Sequence, residues 1–228
     1  MSAAPSDTWV LYGSDGSGSA AVELALRQAG QPYRIVRAST WEPDSARAEL
    51  ARINPLGQIP TLVAPGGEVL TESAAILAEL GLRFPASGLL PADAAGRARV
   101  LRGLAFIAAN CYAAIGVLDY PERWLEPTGD ATVDEGRAAA LRAGARARLH
   151  RLWEMFADQF HAPAEPARPW LSGREPGALD LLAGVVSRWS GARPHLAATR
   201  PALHALLLRL DALPAHTEVL GRHFPTPT

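Results

Sequence analysis

The sequence predicts two structural regions, an α/β fold in the first third of the chain and an all-helical fold in the rest. Strand-like patterns occur only before residue 71, helical patterns fill most of 92–228, and a Pro- and Gly-rich segment at 86–91 separates the two. The chain has 228 residues, 48% of them hydrophobic, which suffices for one domain of fair size or two small ones. We therefore expect domains at 1–85 and 92–228, joined by a linker at 86–91.

The first half of the α/β region alternates between strand and helix patterns. Residues 9–12 form a short apolar strand, and a Gly/Ser-rich loop follows at 13–19. Residues 20–29 carry apolar side chains at helical spacing, and Gly30 and Pro32 end that helix.

The second half of the α/β region contains a hairpin between two helices. Residues 33–37 alternate as a strand, and 43–52 predict a short polar helix. A strand at 58–63 and a returning strand at 68–70 flank a Pro-Gly-Gly turn, and an apolar helix follows at 72–83. The resulting order, β-α-β-α-β-β-α, is that of a thioredoxin-like domain.

The hairpin and the helix after it carry the clearest functional signal. Pro60 has no N–H to donate to a sheet, so it should interrupt or border the ladder and leave neighbouring backbone groups free for an extended peptide. Glu72 and Ser73 lie at a helix start, where backbone N–H groups favour an anionic group. Together these features suit a small acidic peptide.

After the linker, only helical patterns are found. Helices are predicted at 93–118, 133–160, 178–190, 200–212 and 214–222. No apolar run looks long enough to span a membrane, and the N-terminus lacks the pattern of a signal peptide. We therefore expect a soluble cytoplasmic protein that does not bind membranes.

Composition excludes several kinds of chemistry. The net charge of -1 gives no reason to expect nucleic acid as a partner. The sequence contains no lysine, which excludes a Schiff-base lysine, a pyridoxal phosphate anchor and a P-loop. Cys111 is the sole cysteine and lies in an apolar stretch, where we expect a small buried side chain. The six histidines form no metal-binding motif, so no metal is expected.

The 54–73 segment, NPLGQIPTLVAPGGEVLTES, together with the order of elements, resembles the cytosolic glutathione S-transferase family. The resemblance extends over nearly the whole chain, but its specific motifs lie in the N-terminal third. It implies a bacterial enzyme of detoxification type, usually homodimeric, with glutathione as co-substrate. The reaction would be attack of the glutathione thiolate on a small apolar electrophile.

The resemblance also implies roles for residues of the hairpin segment. Ile59-Pro60 would be a cis peptide, turning the Ile59 backbone outward to pair with the cysteinyl part of glutathione. Glu72 would bind the γ-glutamyl ammonium, and Ser73 with the helix N–H groups would bind the α-carboxylate. Gln58, Trp41 and Arg37 are candidates for the glycine carboxylate, for which arginine has suitable bidentate geometry.

Thiolate formation needs a group that stabilises the negative sulfur, because a free thiol has a pKa near ~8.5. Ser17 is the first candidate, since serine-type relatives place their hydroxyl in this loop, and Ser19, Ser14 and Tyr12 are alternatives. Beta-class relatives have a cysteine one position after the serine, where this chain has Gly18. A backbone N–H, or no dedicated activator, is also possible.

The electrophile would be held by side chains of the first long helix and the loop beyond it. The candidates are Phe106, Asn110, Tyr112, Tyr120 and Trp124, some of which could also steady developing charge. Other readings are a glutathione-dependent isomerase, peroxidase or lyase, or a non-catalytic protein that binds glutathione or apolar ligands.

One further resemblance is structural. Relatives commonly open a late helix with a Ser/Thr-x-x-Asp box that fixes its entry. Here Gly177 occupies the cap position and Asp180 keeps the acidic one. Asp180 is therefore expected to bond the backbone at the helix start.

Overall fold

The computed structural model describes residues 7–42, 44–161 and 168–225. Its N-terminal region has the predicted order β-α-β-α-β-β-α, which confirms the thioredoxin-like fold. The strands are β1 (Trp9–Gly13), β2 (Tyr33–Arg37), β3 (Thr61–Val63) and β4 (Val69–Leu70). The helices are α1 (Ser19–Gln28), α2 (Arg47–Ile53) and α3 (Ser73–Arg83). Pro43, the expected start of α2, lies outside the described residues.

The four strands form one mixed sheet in the order β2-β1-β3-β4. β1 pairs parallel to β2 and antiparallel to β3, with Leu11 opposite both Ile35 and Leu62. The strand predicted at 58–63 begins only at Thr61, because Pro60 has no N–H and cannot enter the ladder. The turn at 57–60 therefore stays outside the sheet.

The sheet has helices on both faces. α1 and α3 pack on one side, where Leu11, Leu62 and Leu77 are fully buried in the main core. On the other side Tyr12 and Leu50 form a smaller cluster with Ala38. The alternation of β1 side chains between these two clusters follows from the two-residue period of a strand.

The helix predicted at 93–118 is a continuous helical run over 94–119, but it is not uniform. It consists of α4 (Ala94–Phe106), a π-helical segment (Ile107–Tyr112) and α5 (Ala113–Asp119). Cys111 is buried in the π-helical segment, and burial raises the pKa of its thiol to about 12. This fits its expected role as a small core side chain.

The same helical run contradicts the expectation that no apolar stretch is long enough to span a membrane. By length and composition alone, Ala94–Asp119 is long and apolar enough to cross a membrane. Glycines, arginines and an asparagine interrupt its apolar residues, which hides its length in the sequence. In the fold it is a core helix, since Val100, Leu104 and Ile115 are buried among the other helices.

The remaining helices complete the all-helical region, as predicted. They are α6 (Ala131–Phe160), α7 (Ala178–Val186), α8 (Ala192–Thr199), α9 (Pro201–Asp211) and α10 (Pro214–His223). α7 is shorter than predicted and α8 was not predicted, because Ser190 and Gly191 adopt positive φ and turn the chain between them. We propose the domain division at 86–91, where the sheet-containing region gives way to helices.

The start of α7 is organised by Asp180, which is fully buried. Its carboxylate accepts hydrogen bonds at 2.7–3.0 Å from three backbone N–H groups, those of Leu171, Ser172 and Gly177. These bonds tie the preceding loop to the helix and satisfy a carboxylate that would be costly to bury alone. The role expected for Asp180 is therefore confirmed.

Gly177 explains why the cap hydroxyl is missing from the usual box. A Cβ on this residue would lie 2.6 Å from the Leu89 carbonyl oxygen and 2.8 Å from the Ser172 Cβ, so no side chain fits. The Ser172 hydroxyl substitutes for the cap by accepting from the Leu179 N–H at 3.2 Å. The box is thus completed by a serine from a different part of the loop.

A second buried polar cluster joins the last helix to the N-terminal region. Glu23 of α1 is 1% exposed and accepts from Tyr33 Oη at 2.7 Å and from Arg222, and lies 2.9 Å from His223 Nε2. Burial raises the pKa of the Glu23 carboxyl. The hydrogen bonds from His223, Arg222 and Tyr33 outweigh burial and lower this pKa from 4.5 to about 2.

This cluster predicts acid-dependent stability. A folded-state pKa below the unfolded value stabilises the fold above pH 4.5, and that contribution is lost as the pH falls towards about 2. The lowering corresponds to roughly 3 kcal/mol. Urea unfolding should show Glu23→Gln less stable than the wild type at neutral pH, with the difference shrinking towards pH 2.

The matched control is Glu218→Gln, which removes an exposed partner of Arg27. It should change the unfolding free energy by less than about 1 kcal/mol at any pH. A stability difference for Glu23→Gln that does not vary with pH would contradict the assignment.

Candidate functional site

A cleft of about 1100 Å³ lies between the N-terminal region and the helical region. One wall comes from the loop before α1, the turn before β3 and the start of α3. The other wall comes from the π-helical segment, α5 and the loop after α7. The cleft is lined by nine of the residues that the sequence offered as candidates: Ser17, Trp41, Gln58, Ile59, Pro60, Glu72, Ser73, Tyr112 and Tyr120.

Side-chain hydrogen bonds from Asn54 and Thr61 hold the turn before β3 in place. Asn54 Nδ2 donates to the Gln58 carbonyl at 3.2 Å and to Thr61 Oγ1 at 3.0 Å, and Thr61 Oγ1 donates to the same carbonyl at 2.8 Å. The Ile59-Pro60 peptide is cis. Within the described part of the chain, the backbone N–H and C=O of Ile59 have no hydrogen-bond partner. The cleft is therefore bordered by backbone groups that a ligand can pair with.

Glu72 lies where the start of α3 meets the cleft, and its backbone is strained. Its φ is +62° and its ψ is 108°, a region that non-glycine residues rarely occupy. Its side chain makes no capping bond to α3, and it is exposed, whereas Ser73 is buried. The first N–H groups of α3 consequently lack a side-chain cap and face a cleft-lining carboxylate and hydroxyl.

The serines of the loop after β1 form a closed hydrogen-bond cluster. Ser17 Oγ donates to the Ser14 carbonyl at 2.7 Å and lies 2.8 Å from Ser19 Oγ. Ser19 Oγ accepts from the Ser14 N–H at 3.2 Å, and Ser17 Oγ accepts from the Ser19 N–H at 3.2 Å. Ser17 lines the cleft, while Ser14 and Ser19 do not. The hydroxyls in this loop thus hold the start of α1 together.

Gly18, the first-turn neighbour of these serines, is in close contact with Tyr112 of the helical region. A Cβ built on Gly18 would lie 2.2 Å from Tyr112 Oη, 3.5 Å from Tyr112 Cζ and 3.5 Å from Pro60 Cδ. The phenolic oxygen therefore occupies the place where a side chain at position 18 would begin. The Tyr112 ring packs edge-on against Trp189, with ring centroids 5.7 Å apart.

The electrostatic environment of Tyr112 favours its neutral form. Burial raises the pKa of the phenol well above its ordinary value of 10.0, and a side-chain hydrogen bond with Ser73 offsets only part of this. The phenol is therefore protonated at neutral pH. It can donate a hydrogen bond into the cleft.

Two other candidates of the N-terminal region lie away from the cleft lining. Tyr12 Oη donates to Glu49 Oε1 at 2.5 Å on the opposite face of the sheet, where burial and Glu49 raise its pKa to about 12. Arg37 Nη1 donates to Asp15 at 2.8 Å and its Nε donates to Glu42 at 2.8 Å. Both side chains already have partners that fix them elsewhere.

Three candidates for the electrophile pocket also lie elsewhere. Phe106 packs in the core against Phe156 and Phe160, with ring centroids 6.0 and 5.8 Å away. Asn110 and Trp124 line a second cavity of about 420 Å³ between α5 and α6. Helical spacing alone did not distinguish these positions from Tyr112.

Other cleft residues had no signal in the sequence, among them Arg47, Asp119, Arg123 and Trp189. The Arg123 guanidinium carbon lies 3.9 Å from the centre of the Tyr120 ring, and burial raises the pKa of the Asp119 carboxyl. The side of the cleft near α5 is therefore more polar than the expected apolar pocket. Within the described ranges, no three His, Cys, Asp or Glu side chains are grouped to hold a metal ion.

Comparison with known proteins agrees with this arrangement. Residues 19–82 match the family model for the glutathione S-transferase N-terminal domain. An uncharacterized GST-like protein of Escherichia coli K12, YncG, is 39% identical over 115 residues, which is 50% of this chain and 56% of that protein. The chain thus matches about half the length of that relative.

Solved structures are similar over nearly the full length. A glutathione transferase from Methylococcus capsulatus has 28% identity and a TM-score of 0.73, covering 93% of this chain and 97% of its own. A sphingomonad glutathione S-transferase complexed with glutathione has 26% identity and a TM-score of 0.66, covering 95% of this chain and 100% of its own. The chain shares with these structures a thioredoxin-like region followed by helices, and its residues 19–82 match the glutathione S-transferase N-terminal domain.

The contact between Gly18 and Tyr112 predicts a specific coupling. Gly18→Ala should destabilise the wild type by about 1–3 kcal/mol, because the added methyl group overlaps the phenolic oxygen of a packed ring. In the Tyr112→Phe background the cost should fall below about 1 kcal/mol, since the remaining neighbours, Tyr112 Cζ and Pro60 Cδ, lie 3.5 Å away at ordinary contact distance. Urea unfolding of the four proteins measures the coupling.

Gly136→Ala is the control, because open space surrounds that glycine. Its effect should add to that of Tyr112→Phe without coupling. Equal costs of Gly18→Ala in the two backgrounds would show that the hydroxyl does not fill this position in solution.

Proposed function

We propose that the chain is an enzyme that binds glutathione in the cleft and activates its thiol for attack on a small electrophile. One observation supports this most strongly. The unpaired Ile59 backbone and the start of α3 with Glu72 and Ser73 border the same cleft, so one small peptide can use both. The sphingomonad relative complexed with glutathione supports the choice of peptide.

The polar groups of the cleft suit the parts of glutathione in order. The γ-glutamyl α-carboxylate is assigned to Ser73 and the first N–H groups of α3, and the ammonium to the Glu72 carboxylate. The cysteinyl part pairs with the Ile59 backbone as an added strand. Pro60 ends the protein's own ladder there, which leaves this edge available.

The glycine carboxylate is assigned to Arg47, with Trp41 and Gln58 beside it. Arg37 was the arginine expected from the sequence, but its guanidinium is paired with Asp15 and Glu42. Arg47 lines the cleft and forms no ion pair with the other described residues. A guanidinium with free donors can bind a carboxylate in bidentate geometry.

Activation of the thiol would use the start of α1 and a hydroxyl group. The backbone N–H groups of the first turn favour an anion, and a donated hydrogen bond lowers the pKa of the thiol. Ser17 and Tyr112 both present hydroxyls to the cleft. The electrophile would lie against Tyr112, Tyr120 and Trp189, and its reaction would be transfer to sulfur.

Catalysis on glutathione is favoured over a purely binding role because a buried hydroxyl donor borders the position proposed for the sulfur. A carrier protein would need only the peptide site. A glutathione-dependent isomerase, peroxidase or lyase would use the same thiolate and differ in the electrophile. A homodimeric, cytoplasmic enzyme remains the expectation from the family.

The first prediction of this proposal concerns glutathione binding. Titration calorimetry should detect binding to the wild type, and Glu72→Ala and Glu72→Gly should each lower the affinity about tenfold or more by removing the partner of the ammonium group. The two variants differ in backbone strain alone. Because glycine tolerates positive φ, Glu72→Gly should be about 1 kcal/mol more stable than Glu72→Ala in urea unfolding.

Glu79→Ala serves as the control, since this residue pairs with Arg83 on the exposed side of α3. Its glutathione affinity should equal that of the wild type. A wild-type protein that binds no glutathione would refute the proposed function, and full affinity in both Glu72 variants would refute the role of Glu72.

A further inference from the structure

We propose that Tyr112, contributed by the helical region, is the hydroxyl that stabilises the glutathione thiolate in this protein. The inference rests on the proposed function, and it replaces Ser17 as the activating residue. It makes the activating group a side chain from outside the thioredoxin-like fold.

The main observation behind this proposal is the position of the phenolic oxygen of Tyr112. It lies 2.2 Å from the point where a Cβ on Gly18 would be. The oxygen of Tyr112 thus fills the space from which a side chain at this position would reach the ligand. Glycine at 18 is what permits a residue of another helix to occupy it.

The surroundings of the oxygen match those needed around sulfur. Pro60 Cδ lies 3.5 Å from the same Cβ point, so the hydroxyl is between the first turn of α1 and the turn before β3. The Ile59 backbone next to Pro60 is the proposed partner of the cysteinyl residue. Ser73, the proposed partner of the γ-glutamyl end, lines the same cleft as Tyr112.

The hydrogen bonds of the two rival hydroxyls differ. The Ser17 proton is used within its own loop, since Ser17 Oγ lies 2.7 Å from the Ser14 carbonyl and 2.8 Å from Ser19 Oγ. Tyr112 lines the cleft beside Gly18, and its O–H is the donor that we assign to the sulfur.

The local fold aims Tyr112 and holds it there. The residue ends the π-helical segment Ile107–Tyr112, a type of irregularity that is rare within helices and frequent at functional sites. Its ring is fixed edge-on against Trp189. A donor held in this way requires little reorganisation when negative charge forms on the ligand.

The proposed step is balanced by proton release to solvent. When glutathione binds, its S–H proton passes to water or buffer, and Tyr112 keeps its own proton and donates a hydrogen bond to the resulting sulfur anion. The sulfur electron pair then forms a carbon–sulfur bond. In a substitution, the leaving group departs with the electron pair of the broken bond, and in an addition the new carbanion takes a proton from water.

Tyr112→Phe tests the proposal directly. The pH dependence of the ultraviolet absorbance of bound thiolate gives the pKa of the thiol in the complex. Loss of the hydrogen bond should raise the pKa of the bound thiol by about one pH unit or more. At any pH below the wild-type pKa, this lowers the thiolate fraction about tenfold or more. Calorimetry at a pH below both values should show glutathione affinity within about twofold of the wild type.

Two further variants distinguish a role of Tyr112 in activating the thiol from a purely structural role. Tyr33→Phe removes a similar partly buried phenol, bonded to Glu23, that is remote from the cleft, and it should leave the thiol pKa unchanged. Gly18→Ser in the Tyr112→Phe background returns a hydroxyl to the same place. It should bring the thiol pKa back towards the wild-type value, which a merely structural role for Tyr112 would not produce.

The outcomes distinguish this inference from the proposed function. A wild-type protein that binds no glutathione refutes both. Normal glutathione binding with an unchanged thiol pKa in Tyr112→Phe refutes only the role of Tyr112. A raised thiol pKa in Ser17→Ala, with none in Tyr112→Phe, returns the role to Ser17.

Discussion

The close approach of the start of α1 to Tyr112 is the contact on which the site depends. It brings a helix of the second region so near to position 18 that a Cβ there would lie 2.2 Å from the phenolic oxygen. Only glycine leaves room for this contact. As a consequence, Tyr112 of the helical region lines the same cleft as the turn before β3 and the start of α3, which belong to the N-terminal region. The two regions therefore form one site, and neither has it alone.

Buried polar clusters hold the two regions in a fixed position relative to each other. Glu23 of α1 is bonded to Tyr33 and to the last helix through Arg222 and His223. Asp180 holds the loop before α7 by three backbone N–H groups, and α7 packs in turn on α1 and α4. Carboxylates buried with satisfied partners fix one geometry, since any displacement would leave charge uncompensated. The hydrogen bond that we propose from Tyr112 to the glutathione sulfur needs this precision.

The cleft is bordered by one ordered segment and one strained residue. In the loop before α1, the side chains of Ser17 and Ser19 form hydrogen bonds within the loop and fix the start of α1. Glu72, in contrast, is held at a φ of +62° with no capping bond to its own helix. A residue kept in an unfavourable conformation without local compensation is typical of a binding site. The cleft thus combines the hydrogen-bonded start of α1 with a carboxylate whose backbone is strained.

The sequence by itself determined the order of elements, the interruption of the sheet at Pro60 and the chemistry excluded by the lack of lysine, because these follow from local patterns and residue types. It also predicted nine of the residues that border the cleft. Only the tertiary structure decided which arginines and which aromatic side chains line the cleft. Ion pairs with Asp15 and Glu42 occupy Arg37, and Tyr112 lines the cleft whereas Phe106 packs in the core and Asn110 lines the second cavity. Such choices depend on contacts between residues far apart in the chain, which no local periodicity encodes.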